Sequence, residues 1–140
     1  MNLVASAQKF PDHTALQMDY QVLTYARLDD TTARLARLMA AMLIGPGDRI
    51  GLMVPNVPEF GLVFYAALRC GAVVVPMNPL LTEREIAYYL QDSGARFLFA
   101  WHEIADVALV GRPRPRGPSG SWRERRRCRR QWQHGDLLAG

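Results

Sequence analysis

Lysine is almost missing from this chain: of 140 residues, Lys9 alone is one. That absence excludes a whole group of phosphate sites, because no Gly-x-x-x-x-Gly-Lys-Ser/Thr loop can be assembled without a second lysine further along. Other signatures are missing too. There is no Gly-x-Gly-x-x-Gly: Gly45 and Gly47 have the first spacing, but Ile50 stands where the third glycine belongs, and the pair precedes a strand instead of following one. No Gly-x-Ser-x-Gly elbow occurs, which removes the hydrolases built on it. The two cysteines, Cys70 and Cys128, are too few for a disulfide framework, and a reducing cytoplasm is the expected setting. No basic segment followed by an apolar core opens the chain, so no secretory signal is visible. The longest near-unbroken apolar run, residues 60–68, is about half of the roughly 20 residues a spanning helix needs.

Charge is scarce where it would matter for nucleic acid. Residues 1–110 carry eight basic side chains against eleven acidic ones, a net −3. Residues 111–140 carry nine arginines against Glu124 and Asp136, a net +7, so the whole +4 excess comes from the last thirty residues. The body offers no basic footprint. His13, His102 and His134 lie far apart, and none has a cysteine or carboxylate at metal-ligand spacing. His102 and Glu103 are adjacent, and adjacent residues point to different faces, which argues against joint acid–base work. Met39, Met42, Tyr88 and Tyr89 are expected to pack instead of lining a ligand box.

What is present is a strong α/β pattern. Residues 50–54 are an apolar run, Pro55-Asn56 breaks it, residues 57–70 form a helix-length apolar segment, Gly71 stops it, and residues 72–77 form a second apolar run. This predicts a βαβ unit with a buried crossover helix. Strands without polar alternation are what a parallel sheet covered on both faces requires. Asn56 is the expected cap of that helix, with Pro58 in its first turn and Glu59 three residues on. Before this unit, a short helix over residues 3–10 stops at Pro11, and residues 14–18 and 21–24 predict a hairpin around Asp19-Tyr20. Residues 24–44 predict an amphipathic helix with Leu28, Thr32, Leu35, Leu38, Met39 and Met42 on one stripe. Thr24 would cap it, Asp29 and Asp30 would suit its dipole, and Arg27, Arg34 and Arg37 fall off the stripe. After the unit, Thr82 to Glu85 predicts a capping box for a helix to about Asp92. Gly94 ends it, residues 96–101 predict a third strand, and residues 103–109 a last helix. The β-α-β-α-β-α order implies a parallel, right-handed, doubly wound sheet with flanking helices and an N-terminal hairpin.

At Gly111 the character changes. Between Gly111 and Gly135 there is no Leu, Ile, Val, Met, Phe or Ala, while Arg, Gly and Pro make up 17 of the last thirty residues. Such a stretch cannot bury enough apolar area to offset its ordering entropy, so disorder is expected. Residues 123–130, flanked by Trp122 and Trp132, are the one patch able to grip phosphate. Their alternative use is a small interaction module for nucleic acid or acidic surfaces, set against a solvated tail with no role.

Taken together, Pro11-Asp12-x-x-Ala15-Leu16, Leu23-Thr24-Tyr25-x-x-Leu28, Gly45-x-Gly47-Asp48-Arg49-Ile50, Pro55-Asn56-x-x-Glu59-Phe60, Gly71-Ala72-Val73-x-x-Pro76-x-Asn78-Pro79 and Asp92-Ser93-x-Ala95 resemble the N-terminal end of an adenylate-forming acyl-CoA synthetase of the AMP-binding superfamily, with fatty-acid–CoA ligases as the nearest kin. The resemblance covers about residues 1–110. It implies a larger synthetase N-terminal domain of which this is a part, with residues 111–140 as a separate Arg/Gly/Pro-rich tail. For the complete enzyme it implies a fatty acid, ATP, Mg2+ and coenzyme A, an acyl-adenylate intermediate and a thioester product. The family's phosphate loop, its adenine, ribose and metal ligands and its mobile-domain lysine have no matching positions here. No catalytic, cofactor-binding or metal residue is therefore assigned, and the 140 residues alone are expected to be inactive. Two departures stand out. Arg27 replaces the glutamate that would complete a capping box with Thr24, and the tail has the composition that a shifted frame in GC-rich DNA produces. Complementation by a separately encoded remainder is a further expectation.

Overall fold

The computed structural model describes residues 3–110. In order these are α1 (Leu3–Lys9), β1 (Thr14–Met18), β2 (Gln21–Thr24), α2 (Tyr25–Ala41), β3 (Arg49–Met53), α3 (Pro58–Arg69), β4 (Val73–Pro76), α4 (Glu83–Ser93), β5 (Phe97–Ala100), a 3-10 turn (His102–Ile104) and α5 (Ala105–Val110). The expectations for the arginine tail, Cys128 and His134 lie outside the described residues.

Strands β1 and β2 pair antiparallel as the hairpin, with Asp19 in the left-handed region at φ 50°. The other three strands are parallel in the order β4-β3-β5. Their register aligns Ile50 with Val74 and Phe97, and Gly51 with Val75 and Leu98. Alternation along a strand sends these two rows to opposite faces. On one face Ile50, Met39, Ile44, Ala66 and Ala67 form a core with Val74, Phe97 and Phe99 against it, covered by α2 and α3. On the other, Met53, Met77, Ile86, Leu90, Ala95 and Ala108 form a second core with Val75 and Leu98, covered by α4 and α5. The sheet is thus buried on both sides, and the continuous apolar strands follow from it. Each fully enclosed Leu, Ile or Met contributes about 1.5–3 kcal/mol of burial.

Turn chemistry sets the boundaries. Thr24 caps α2, its Oγ accepting the Arg27 N–H at 3.3 Å. Thr82 and Glu85 form the reciprocal capping box of α4, and Gly94 ends that helix at φ 65°. Gly71 (φ 71°) ends the loop after α3, where its carbonyl accepts the Gly47 N–H at 2.9 Å.

Several expectations are corrected. Helix α2 ends at Ala41, short of Leu43, which turns into the left-handed region, and Leu38 and Met42 are not on the buried stripe, being 49% and 40% exposed. Asp29 and Asp30 do not serve the α2 dipole: Asp29 pairs with Arg69 of α3, and Asp30 with Arg34 at 2.7 Å. Asn56 does not cap α3; the cap position is Val57, without a side-chain bond. Helix α3 is not buried all round, since only Leu62, Ala66 and Ala67 are enclosed. Tyr88 and Tyr89 do not pack into the core; they are exposed and meet each other edge to face at 6.1 Å.

Candidate functional site

In an open parallel sheet the carboxyl ends of all strands open onto one edge, and ligands bind where the winding direction reverses. Here α3 carries the chain from β3 to β4 on one side, and α4 carries it back past β3 to β5 on the other. The reversal therefore lies between β3 and β5. Val54-Pro55-Asn56 leaves β3 there, and Trp101-His102-Glu103 leaves β5. The Trp101 N–H donates to the Met53 carbonyl at 2.9 Å and so extends the ladder to the rim. The His102 ring lies 4.5 Å from the Trp101 ring, tilted by 53°. On the β4 side, Asn78 uses its Oδ1 to accept the Leu80 N–H at 2.9 Å, a local turn bond.

This edge also holds the N-terminus of α3, the place where related sheets cradle phosphate. Its chemistry is wrong for an anion. Pro58 removes one N–H donor, the Phe60 N–H is turned back to the Val57 carbonyl at 3.0 Å, and Glu59 puts a carboxylate in the first turn. Lys9 lies in α1, its ammonium 5.1 Å from the centre of the Phe10 ring. Charged groups gather instead at the opposite, amino-terminal edge. There Asp48 accepts the Gly45 N–H at 2.9 Å and pairs with Arg96. The Gly45 N–H, and after it Arg96, hold the Asp48 carboxyl below the ordinary carboxylate value. Among the described residues no three His, Cys, Asp or Glu side chains come together to hold a metal. His13 stacks on Phe10 at 5.1 Å, in the N-terminal segment, and His102 sits at the strand ends. Cys70 is half-buried, its thiol pushed up by burial and directed at the Ala36 carbonyl at 3.3 Å.

A separate open cleft of about 200 Å3 lies between the hairpin and the starts of α2 and α3, lined by Gln21, Val22, Leu23, Arg27 and Pro58. Of these, the sequence singles out Arg27 as a departure at a capping position, Pro58 as a first-turn residue and Leu23 within a motif, none of them as a cleft residue. Nothing in the local pattern announces that Pro58, some thirty residues on, closes the same cleft. Among the described residues no helix is long and apolar enough to cross a membrane.

The sequence model of one family, described as AMP-binding enzyme, matches residues 3–127, and so continues past Gly111 into the arginine-rich stretch. Among curated relatives, the oxalate–CoA ligase of Arabidopsis thaliana is 40% identical over 99 residues, 69% of this chain and 19% of that protein. The long-chain-fatty-acid–CoA ligase FadD13 of Mycobacterium tuberculosis is 35% identical over 102 residues, 71% of this chain and 20% of that protein. Among solved structures, the N-terminal subdomain of Klebsiella oxytoca NpsA superposes with a TM-score of 0.68 at 32% identity, covering 70% of this chain and 26% of the subdomain. The chain thus spans about a fifth of the length of the curated relatives it matches.

Proposed function

The chain belongs to the AMP-binding enzymes, and on that premise we propose that it is the N-terminal part of an ATP-dependent acid–thiol ligase that acts on a fatty acid. The observation carrying this reading is the family match over residues 3–127, together with a sheet whose caps and turns fall on the matching motifs. Gly45 to Asp48, Gly71 and the Thr82 box are the turns that set β3, α3, β4 and α4 in place. The fatty-acid assignment draws on the ligase names among the relatives, FadD13 included. The oxalate ligase, just as similar, acts on a diacid of two carbons, so the motifs of this stretch serve the scaffold and leave acyl selection to other residues.

ATP, Mg2+ and coenzyme A belong to the complete reaction. The side chains at the strand ends do not fit them. Glu59 opposes a polyphosphate at α3, and among the described residues no carboxylate cluster is built for a divalent ion. Acyl-adenylate formation needs donors placed against the developing charge on phosphorus, and the described residues set none there. Those groups come from outside residues 3–110, on the same or a separately encoded polypeptide.

The test is acyl-dependent exchange of pyrophosphate into ATP. The 140 residues alone are expected to give none with any fatty acid. Residues 3–110 grafted in place of the matching stretch of FadD13 are expected to support exchange. Exchange by the 140 residues alone would overturn the reading, as would a folded graft without activity.

A further inference from the structure

Helix α3 is apolar over most of its circumference, with Glu59 and Arg69 at its ends, and three of its sides are accounted for. Leu62 joins the core of α2 and the hairpin, with Leu28 and Leu23. Ala66 and Ala67 pack on the sheet with Ile50. Gly61 faces the hairpin so closely that an added Cβ would meet the Leu16 Cδ1 at 2.9 Å. The fourth side carries Phe60, Phe64 and Leu68, spaced by four and therefore stacked along one stripe. Phe60 and Phe64 are half-buried with their rings stacked at 6.1 Å, and Leu68 is 49% exposed. By helical geometry the stripe lies opposite the flank that Arg69 and Leu62 present to α2. That is the flank beside β4, which is an edge strand and leaves Val73 49% exposed. This edge reads Val-Val-Val-Pro, with no charged residue on it and Pro76 at its end as the one blunting residue, which leaves Val73 to Val75 open.

We propose that the Phe60–Phe64–Leu68 stripe and the adjoining β4 edge are a docking face. Its occupant is the polypeptide of an AMP-binding N-terminal subdomain that lies outside the stretch matched here. This inference rests on the family reading above. The length of chain involved argues for that occupant: the match covers 26% of the NpsA N-terminal subdomain, so roughly three quarters of such a subdomain remains to pack against this portion. A stripe with two phenylalanines and no charge fits an apolar protein surface, and a bare strand edge fits another strand.

The test compares Leu68→Lys and Phe64→Lys in two settings: the 140-residue chain alone, and FadD13 carrying residues 3–110 in place of its matching stretch. A lysine at position 68 suits a helix C-terminus and an exposed site. In the chain alone Leu68→Lys is expected to leave the Tm within about 2 °C, whereas in the chimera it lowers the Tm by more than about 5 °C or abolishes soluble protein. Phe64→Lys should show the same contrast, with a larger loss in the chimera. Equal shifts in both settings would overturn the proposal, as would no shift in either, or an unsubstituted chimera that does not fold. A dimer of the chain alone that Leu68→Lys dissociates would also overturn it, by making a second copy the occupant. A chimera that folds, shows the contrast and yet lacks pyrophosphate exchange would sink the functional reading and leave the docking face standing.

Discussion

Two glycines show how differently one residue type is used. At Gly51 an added Cβ would meet the Leu98 Cδ1 at 2.9 Å, the Leu90 Cδ2 at 3.2 Å and the Met77 Sδ at 3.2 Å. All three are ends of flexible side chains, so Gly51→Ala should change stability by less than about 1 kcal/mol, while Gly51→Val should cost about 1–3 kcal/mol by overpacking. At Gly71 the nearest atom is the Pro46 Cα at 3.2 Å, which is backbone, and φ is 71°. Gly71→Ala should therefore cost about 1–2 kcal/mol despite its smaller volume. Urea melts of the three variants check the order. Asp48 makes a pH prediction at the same scale. The Gly45 N–H and the Arg96 guanidinium hold its carboxyl below the ordinary 3.8. The folded state thus takes up that proton less readily than the unfolded chain. The stabilisation is complete above the ordinary value and fades as pH falls through the lower, folded one. Asp48→Asn should lower the Tm at pH 7 and narrow the gap to wild type at pH 3. A gap that widens on acidification would contradict this.

Helices α2 and α3 are joined by more than apolar packing. Arg69 pairs with the Asp29 carboxylate, and its Nε donates to Thr32 Oγ at 3.1 Å, while the Thr32 hydroxyl donates to the Leu28 carbonyl at 2.8 Å. The pair is shielded, its side chains 25% and 31% exposed, whereas Arg34 and Asp30 are 52% and 64% exposed on one helix. Arg69→Ala should cost about 1–2 kcal/mol, and Arg34→Ala about 0.3–0.5 kcal/mol or nothing measurable, by thermal denaturation. The sequence exposed most of the element order because the signals were local. Thr24, the Thr82 box, Gly71 and Gly94 act within a few residues of where they stand. One misreading was local: Val57, one residue on, takes the cap position from Asn56. Others were non-local: Asp29 looks like a dipole partner until Arg69, forty residues away, reaches it. The uncovered side of α3 was invisible for the same reason, since apolarity reports what a surface seeks and not whether it is met. The site was not legible in the sequence: Trp101, His102 and Glu103 carry no spacing motif, and the strand order that brings the ends of β3 and β5 together is non-local.

At the scale of the whole molecule, apolar side chains remain outside in number: Leu43 is 68% exposed, Leu80 88%, Tyr88 64% and Tyr20 wholly so. With the open stripe of α3 they give a surface rich in unsatisfied apolar area. The 140-residue chain should bind a hydrophobic dye such as ANS with a rise in dye fluorescence, and the absence of any rise would count against this. Two distinct cores on the two faces of one sheet also predict that a defect in one face is felt on the other through the three parallel strands, each of which puts side chains into both cores.

Strand β3 alone among the three parallel strands has a neighbour on each side. A ribosome finishes β3, α3 and β4 before Phe97 has been joined to the chain. The pair β3–β4 has its crossover helix already in hand, so it can close during synthesis, and β5 arrives as a late addition to a prepared seam. A released fragment ending near Gly94 should accordingly carry a half-built sheet with one bare flank, a species well suited to capture by a chaperone.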